Sequence, residues 1–284
     1  MNLRAVGRWV WLLGALLVGV PGAWAQSAAV GSGALPGPQT SGVAPGGQVL
    51  LVLSDPWCPY NCQPDSDRPG YVVEMLREIF PPPAWQLKYQ IVPWDRALQQ
   101  VREGQAAIAP ELTREQAQRL GLLIGHEAVG EPADCLYVAA GNPLRFNQAS
   151  DLDGLRQVAV VSGYEYEFAF GEWISRPENK ARVVMTRGAN PAEVNARNLA
   201  RGRLDGVIES AAVMHMLVQQ LRLQDKIREA GCQQASPVYV GFSPRLPNAA
   251  QLVEHFDQGV AELRRSKRLA RILSRYGQQD WKAD

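Results

Sequence analysis

Residues 50–80, LLVLSDPWCPYNCQPDSDRPGYVVEMLREIF, decide the architecture. Val49 to Leu53 is wholly apolar, as a strand buried on both faces should be, and the run stops at Asp55. A loop follows with Trp57, Cys58, Tyr60 and Cys62. From Gly70 onward, Val72, Val73, Met75, Leu76, Ile79 and Phe80 recur at helical spacing until Pro81-Pro82-Pro83 ends the helix. Open α/β sheets hold ligands in loops at the carboxyl ends of their strands. The aromatic loop therefore marks a candidate binding cleft, and its cysteines suggest an oxidising compartment.

The same alternation continues downstream. Trp85 to Val92 reads as a strand, and Pro93-Trp94-Asp95 opens a helix over 96–102 that Gly104 closes. Ala106 to Ala109 is a short buried strand. Thr113 N-caps a short helix, with Gln116 three residues on at the spacing of a capping box. Further strands are expected at 135–140, 157–161, 182–186, 205–209 and 238–243. A helical turn is expected at 151–155, and helices after Tyr164, at 191–200 and 211–221, and near 248–266 and 267–276. Such β/α alternation argues for mostly parallel sheets flanked by helices. GQAAIAPELT (104–113) and GRLDGVIESA (202–211) share one pattern: a helix end, a glycine, a short buried strand, then polar residues. Two similar lobes facing one cleft would produce this echo; chance is the competing reading.

At the N-terminus, Arg4 and Arg8 precede an apolar run of 11 residues, Val10 to Val20, and Ala23-Trp24-Ala25 matches a small-x-small cleavage site. Residues 1–25 read as a secretory signal peptide, which implies a periplasmic location; an uncleaved anchor is the alternative. Residues 26–47 are Gly, Ala, Pro and Ser without charge, a flexible lead-in that cannot bury a core. Of the 29 basic and 28 acidic side chains, Arg4 and Arg8 leave with the signal, so 27 face 28. A balance near −1 is no footprint for nucleic acid or an anionic membrane.

The four cysteines, Cys58, Cys62, Cys135 and Cys232, allow three disulfide pairings. Cys58–Cys62 with Cys135–Cys232 is favoured: the first closes a tight loop around the aromatics, the second a long one. A metal site from Cys58 and Cys62 is the sharper alternative, but it lacks nearby histidines. No metal or cofactor is expected.

In the order DPWCPYN, GYVVEMLREIF, VPWDRALQQVREGQ, TREQAQR, VVSGYEYE, GRLDGVIES and VYVGFSP, the chain resembles a family 3 periplasmic solute-binding protein, the group that includes polar amino-acid receptors of ABC importers. The resemblance spans about residues 48–280. It implies an α/β, two-lobe periplasmic binding protein fold of type II. Lobe one would be 48–137 plus 242–284 and lobe two 138–241, with 135–140 and 238–243 as the crossing strands. The cysteines Cys135 and Cys232 would flank those crossings. Ligand would sit between the lobes and favour closure by hinge motion. A monomer is expected, working with an inner-membrane ABC permease or another periplasmic protein.

The candidate ligand set, from the resemblance and from the residues' own chemistry, is Trp57, Tyr60, Trp94, Glu111, Thr113, Gln116, Gly163, Tyr164, Glu165, Glu209 and Ser210. Trp57 and Tyr60 have a plainer reading as core aromatics, Trp94 as a structural helix start, Thr113 as a helix cap, and Glu111, Glu165 and Glu209 as solvated carboxylates. The departures from the family pattern say more. Its T-x-x-R arginine, which grips a ligand carboxylate as a bidentate fork, falls at Gln116. Its second-lobe anion-binding turn reads Gly163-Tyr164-Glu165. Its ammonium-binding Asp falls at Ser210, beside Glu209. A standard α-amino acid is therefore not expected; a neutral or cationic polar solute stacked on aromatics, with Glu111, Glu165 and Glu209 as acceptors, fits better. The competing functions are an accessory or sensory periplasmic protein and a periplasmic enzyme such as a dehydratase. For catalysis, His126, His215 and His255 form no evident triad or metal set, so no catalytic residue is assigned.

Overall fold

A computed structural model describes residues 47–282; the expected signal peptide and all of the lead-in except Gly47 lie outside the described residues. The chain begins with β1 (Gln48–Ser54), α1 (Tyr71–Ile79), β2 (Trp85–Ile91), α2 (Trp94–Arg102), β3 (Ile108–Leu112) and α3 (Arg114–Leu120). It continues with β4 (Asp134–Ala139), β5 (Val158–Val161), α4 (Phe168–Ser175), β6 (Val183–Thr186), α5 (Pro191–Ala200) and β7 (Gly206–Ser210). The last elements are α6 (Ala211–Gln220), β8 (Ile227–Cys232), β9 (Tyr239–Phe242), α7 (Ala249–Arg265) and α8 (Arg268–Ser274).

Two sheets result. The first has the order β2-β1-β3-β9, with β1 parallel to β2 and β3 and β9 antiparallel to β3. The second has the order β6-β5-β7-β4-β8, with β5 parallel to β6 and β7 and β4 antiparallel to its neighbours. Strand β1 shows why an unbroken apolar run was needed. Leu50 and Val52 join the core beneath α1, α7 and α8, while Leu53 joins the core of α2 and α3 on the opposite face. In the second sheet, Val158 and Val160 pack toward α4, and Ala159 toward α5 and α6. These are two helix-covered α/β lobes.

Strand β4 belongs wholly to the second sheet and β9 to the first. The crossing lies upstream of β4, where Gly130 bridges Val238 in antiparallel fashion. Strand β8 was not expected: IREAGC alternates weakly and lies at a sheet edge. It places Cys232 opposite Cys135 on β4, and the two are disulfide-bonded, as are Cys58 and Cys62.

Candidate functional site

The loop after β1 is a tight turn. Trp57 N–H donates to the Asn61 carbonyl at 2.8 Å, and Tyr60 N–H to the Trp57 carbonyl at 3.0 Å. The Asn61 amide ties the turn to Ser54 Oγ at 2.8 Å, and the Cys58–Cys62 bond closes it. Gly70 sits against this turn with φ 107°, and a Cβ there would strike the Tyr60 carbonyl and the Asn61 backbone. Only glycine suits that approach. The result is a rigid platform on which the Trp57 and Tyr60 rings stack at 4.2 Å.

On the next strand, a bulge aims a carboxylate. Ala109 pairs with Gly241 and Leu112 with Tyr239, so β3 carries one extra residue between the two pairings. Glu111 adopts φ 57° there. A β-bulge with one residue in the left-handed region re-aims its side chain, and a non-glycine in that region is uncommon. Glu111 thereby lines a cavity of about 60 Å³ between the lobes.

The first lobe contributes Asp55, Trp57, Trp94, Glu111, Thr113 and Gln116 to that cavity. The second contributes Tyr164 to Glu167 and Asp134 at the start of β4, and the segment between β8 and β9 adds Gln233 and Ser236. Seven of the expected ligand residues thus share one wall system: Trp57, Trp94, Glu111, Thr113, Gln116, Tyr164 and Glu165. Four stand behind it. Tyr60 is 4 % exposed and packs in the core beneath Trp57, because stacking on the indole covers its face. Glu209 is 1 % exposed, with Oε1 accepting from Trp57 Nε1 at 2.8 Å. Ser210 is fully buried at the start of α6. Gly163 bonds to the opposite lobe.

The two lobes touch directly through these groups. Thr113 caps α3 by accepting from Gln116 N–H at 3.1 Å, half of the expected capping box. The Gln116 side chain does not return to the cap; its amide donates to the Gly163 carbonyl at 2.7 Å. The positions where the resembled family grips a ligand carboxylate here bind each other. Tyr164 O–H donates to Asp55 Oδ2 at 2.9 Å, Ser162 Oγ to Asp95 Oδ2 at 2.8 Å, and Arg119 pairs with Glu165. Tyr164 stands edge-on to Trp57 and Trp94, with ring centroids 6.1 and 6.4 Å away.

Electrostatics set this cavity apart. Among the described residues lining it are five carboxylates and no Lys, Arg or His. Burial pushes Asp55 up to about 7, against the lowering effect of the Tyr164 hydroxyl, and Asp95 adds repulsion. Burial likewise lifts Glu209 to about 7 and Asp134 to about 8, the latter with help from Glu209 and Glu167. Glu111 is pushed well above the usual carboxylate range by burial and then by Asp55. Its Oε1 is buried, and among the described residues no group donates to it; the same holds for Glu209 Oε2.

The sequence reading missed Asp55 and Asp134 as site residues. Asp55 had a signal, as the first charge after an apolar strand. Asp134 had none, since it opens β4 and reaches the cavity only through that strand's tertiary placement. The histidines lie outside the cavity: His126 is exposed, His215 bonds Gln219 on α6, and His255 packs against Trp85. Cys135, Glu229 and Cys232 converge closely enough to suggest a metal site, but the disulfide uses both sulfurs.

No protein-family model matches the chain, and no curated protein matches its sequence. Solved structures do match in shape. One belongs to glutathione import in Gram-positive bacteria via GshT and the cystine ABC importer TcyBC of Streptococcus mutans; its TM-score is 0.68 at 16% identity, over 84% of this chain and 98% of that one. A histidine kinase sensor domain with similarity to periplasmic binding proteins gives 0.66 at 16%, over 82% and 96%. An ancestral arginine-binding protein bound to arginine gives 0.65 at 16%, over 80% and 97%. At such identities the likeness carries the fold and not the ligand: the chain has the two-lobe fold of the periplasmic binding proteins.

Proposed function

We propose that this chain is an exported, non-catalytic solute-binding protein that captures a small polar ligand between its lobes and delivers it to an ABC permease. The ligand is not a standard α-amino acid. The observation that carries this reading is the cavity wall: it offers aromatic faces and carboxylates but no cation to hold a carboxylate. The fold, a neighbour from glutathione import via a cystine ABC importer, and two disulfides that suit an oxidising compartment support it.

A second reading rests on one specific observation. The cavity holds only about 60 Å³, roughly two waters, and the lobes are already bonded through their own side chains. A sensory or accessory protein, signalling by a lobe surface, would suit a cleft so filled, and a sensor domain is among its structural neighbours.

A thermal-shift screen of the mature protein against amino acids, amines, sugars and organic acids separates the two. A ligand at 100 times its dissociation constant adds roughly 2.7 kcal/mol of stability. A shift with a solute lacking the α-amino-acid group supports the binding reading. If polar amino acids give the largest shift, the ligand assignment is wrong; if nothing shifts, the sensory or accessory reading takes its place.

A further inference from the structure

Inside the cleft, the side chains are poised for one sign of charge. Glu111 comes from the bulge of β3 and Asp134 from the start of β4, so the cavity meets a carboxylate from each of two separate parts of the chain. Buried carboxylates without a countercharge are costly, and proteins keep them paired or neutral. The nearby guanidiniums are already engaged: Arg119 with Glu165, and Arg187 with Asp95. Glu111 therefore lines the cavity while carrying a buried Oε1 with no donor among the described residues. Behind the wall, Glu209 keeps a second free oxygen while its other holds the Trp57 indole. Trp57, Trp94 and Tyr164 supply π-surface beside these oxygens, the second element that attracts a cation.

We infer that the cleft recognises a compact organic cation, an ammonium or guanidinium head without an adjoining carboxylate, with Glu111 and Asp134 as its countercharges and Trp57, Trp94 and Tyr164 as its walls. This inference rests on the solute-binding reading above and narrows its ligand class. The small volume suits the head group itself. A carboxylate beside the charge would meet five others and no cation.

The test is calorimetric titration of the mature protein at constant ionic strength with guanidinium and urea, which share a shape and differ in charge. Agmatine and arginine, which differ by one carboxylate, form the second pair. Guanidinium should bind at least roughly ten-fold more tightly than urea, and agmatine more tightly than arginine. Glu111→Gln, which keeps shape, should cancel the guanidinium preference while the protein remains folded. Asp134→Asn should weaken the same preference and serves if the first variant folds poorly. Equal binding of guanidinium and urea, or arginine outbinding agmatine, overturns the inference. If neutral solutes or amino acids bind and the cations do not, the cation assignment fails while solute binding stands. If nothing in the wider panel binds, both fail together.

Discussion

Replacing Asp55 by Asn should make the protein less sensitive to rising pH. Asp55 is 1 % exposed, and burial raises its pKa from 3.8 to about 7. The folded state therefore holds a proton that the unfolded chain releases between those values. Where the folded state binds more protons, stability falls as pH rises. Its contribution is thus fully present below pH 3.8 and is lost as pH climbs through about 7. The gap of about three pH units, at ~1.4 kcal/mol each, sets a ceiling of about 4 kcal/mol, which opening of the lobes would reduce by rehydrating the carboxylate. Asn retains an oxygen for the Tyr164 hydroxyl, so that contact survives. From pH 5 to pH 8 the stability of Asp55→Asn relative to wild type should rise by up to about 3 kcal/mol. Urea unfolding followed by tryptophan fluorescence, with disulfides intact, reads the difference. An offset that is the same at both pH values, or one that moves against the variant at pH 8, would refute the reasoning.

Three further outcomes follow from particular contacts. Gly163→Ala should push the Asp95 carboxylate away from Ser162 and loosen the contact between the lobes, since its φ is 84° and a Cβ would strike Asp95; hydrogen exchange at the 161–165 segment should rise while each lobe's core protection is retained. Gln116→Ala should weaken closure by about 1 kcal/mol while leaving α3 capped, whereas Thr113→Ala should destabilise α3 by a similar amount; hydrogen exchange resolves the two effects. Removing the Cys135–Cys232 bond, whose partners are 97 residues apart, by a double Cys→Ser substitution should cost about 3–5 kcal/mol in urea unfolding.

The fold was legible because its signals are local. The apolar run Val49 to Leu53 of β1, the helical spacing of Val72 to Phe80 and the cap at Thr113 need no tertiary information. The echo of 104–113 and 202–211 was also sound as topology: both segments are strands parallel to a neighbour, β3 in one sheet and β7 in the other. Strand β8 escaped because an edge strand with a polar half lacks the period that identifies buried strands. The site was less legible because its decisive features are non-local. Gln116 reads as half of a capping box, yet its amide crosses to Gly163, 47 positions away. Glu111 reads as an ordinary strand-end acid until the bulge turns it inward. Tyr60 and Trp57 look equivalent in sequence, and only the stacking decides that Trp57 faces the cavity and Tyr60 supports it.

The central claim is that recognition resides in the cavity between the lobes. A solute-panel thermal-shift measurement on wild type beside Glu111→Gln/Trp57→Phe tests it most directly, because both side chains line that cavity. Solutes that stabilise the wild type should lose most of their shift in the double variant while the unliganded proteins remain folded. Equal shifts in both proteins would place the ligand elsewhere and contradict the account.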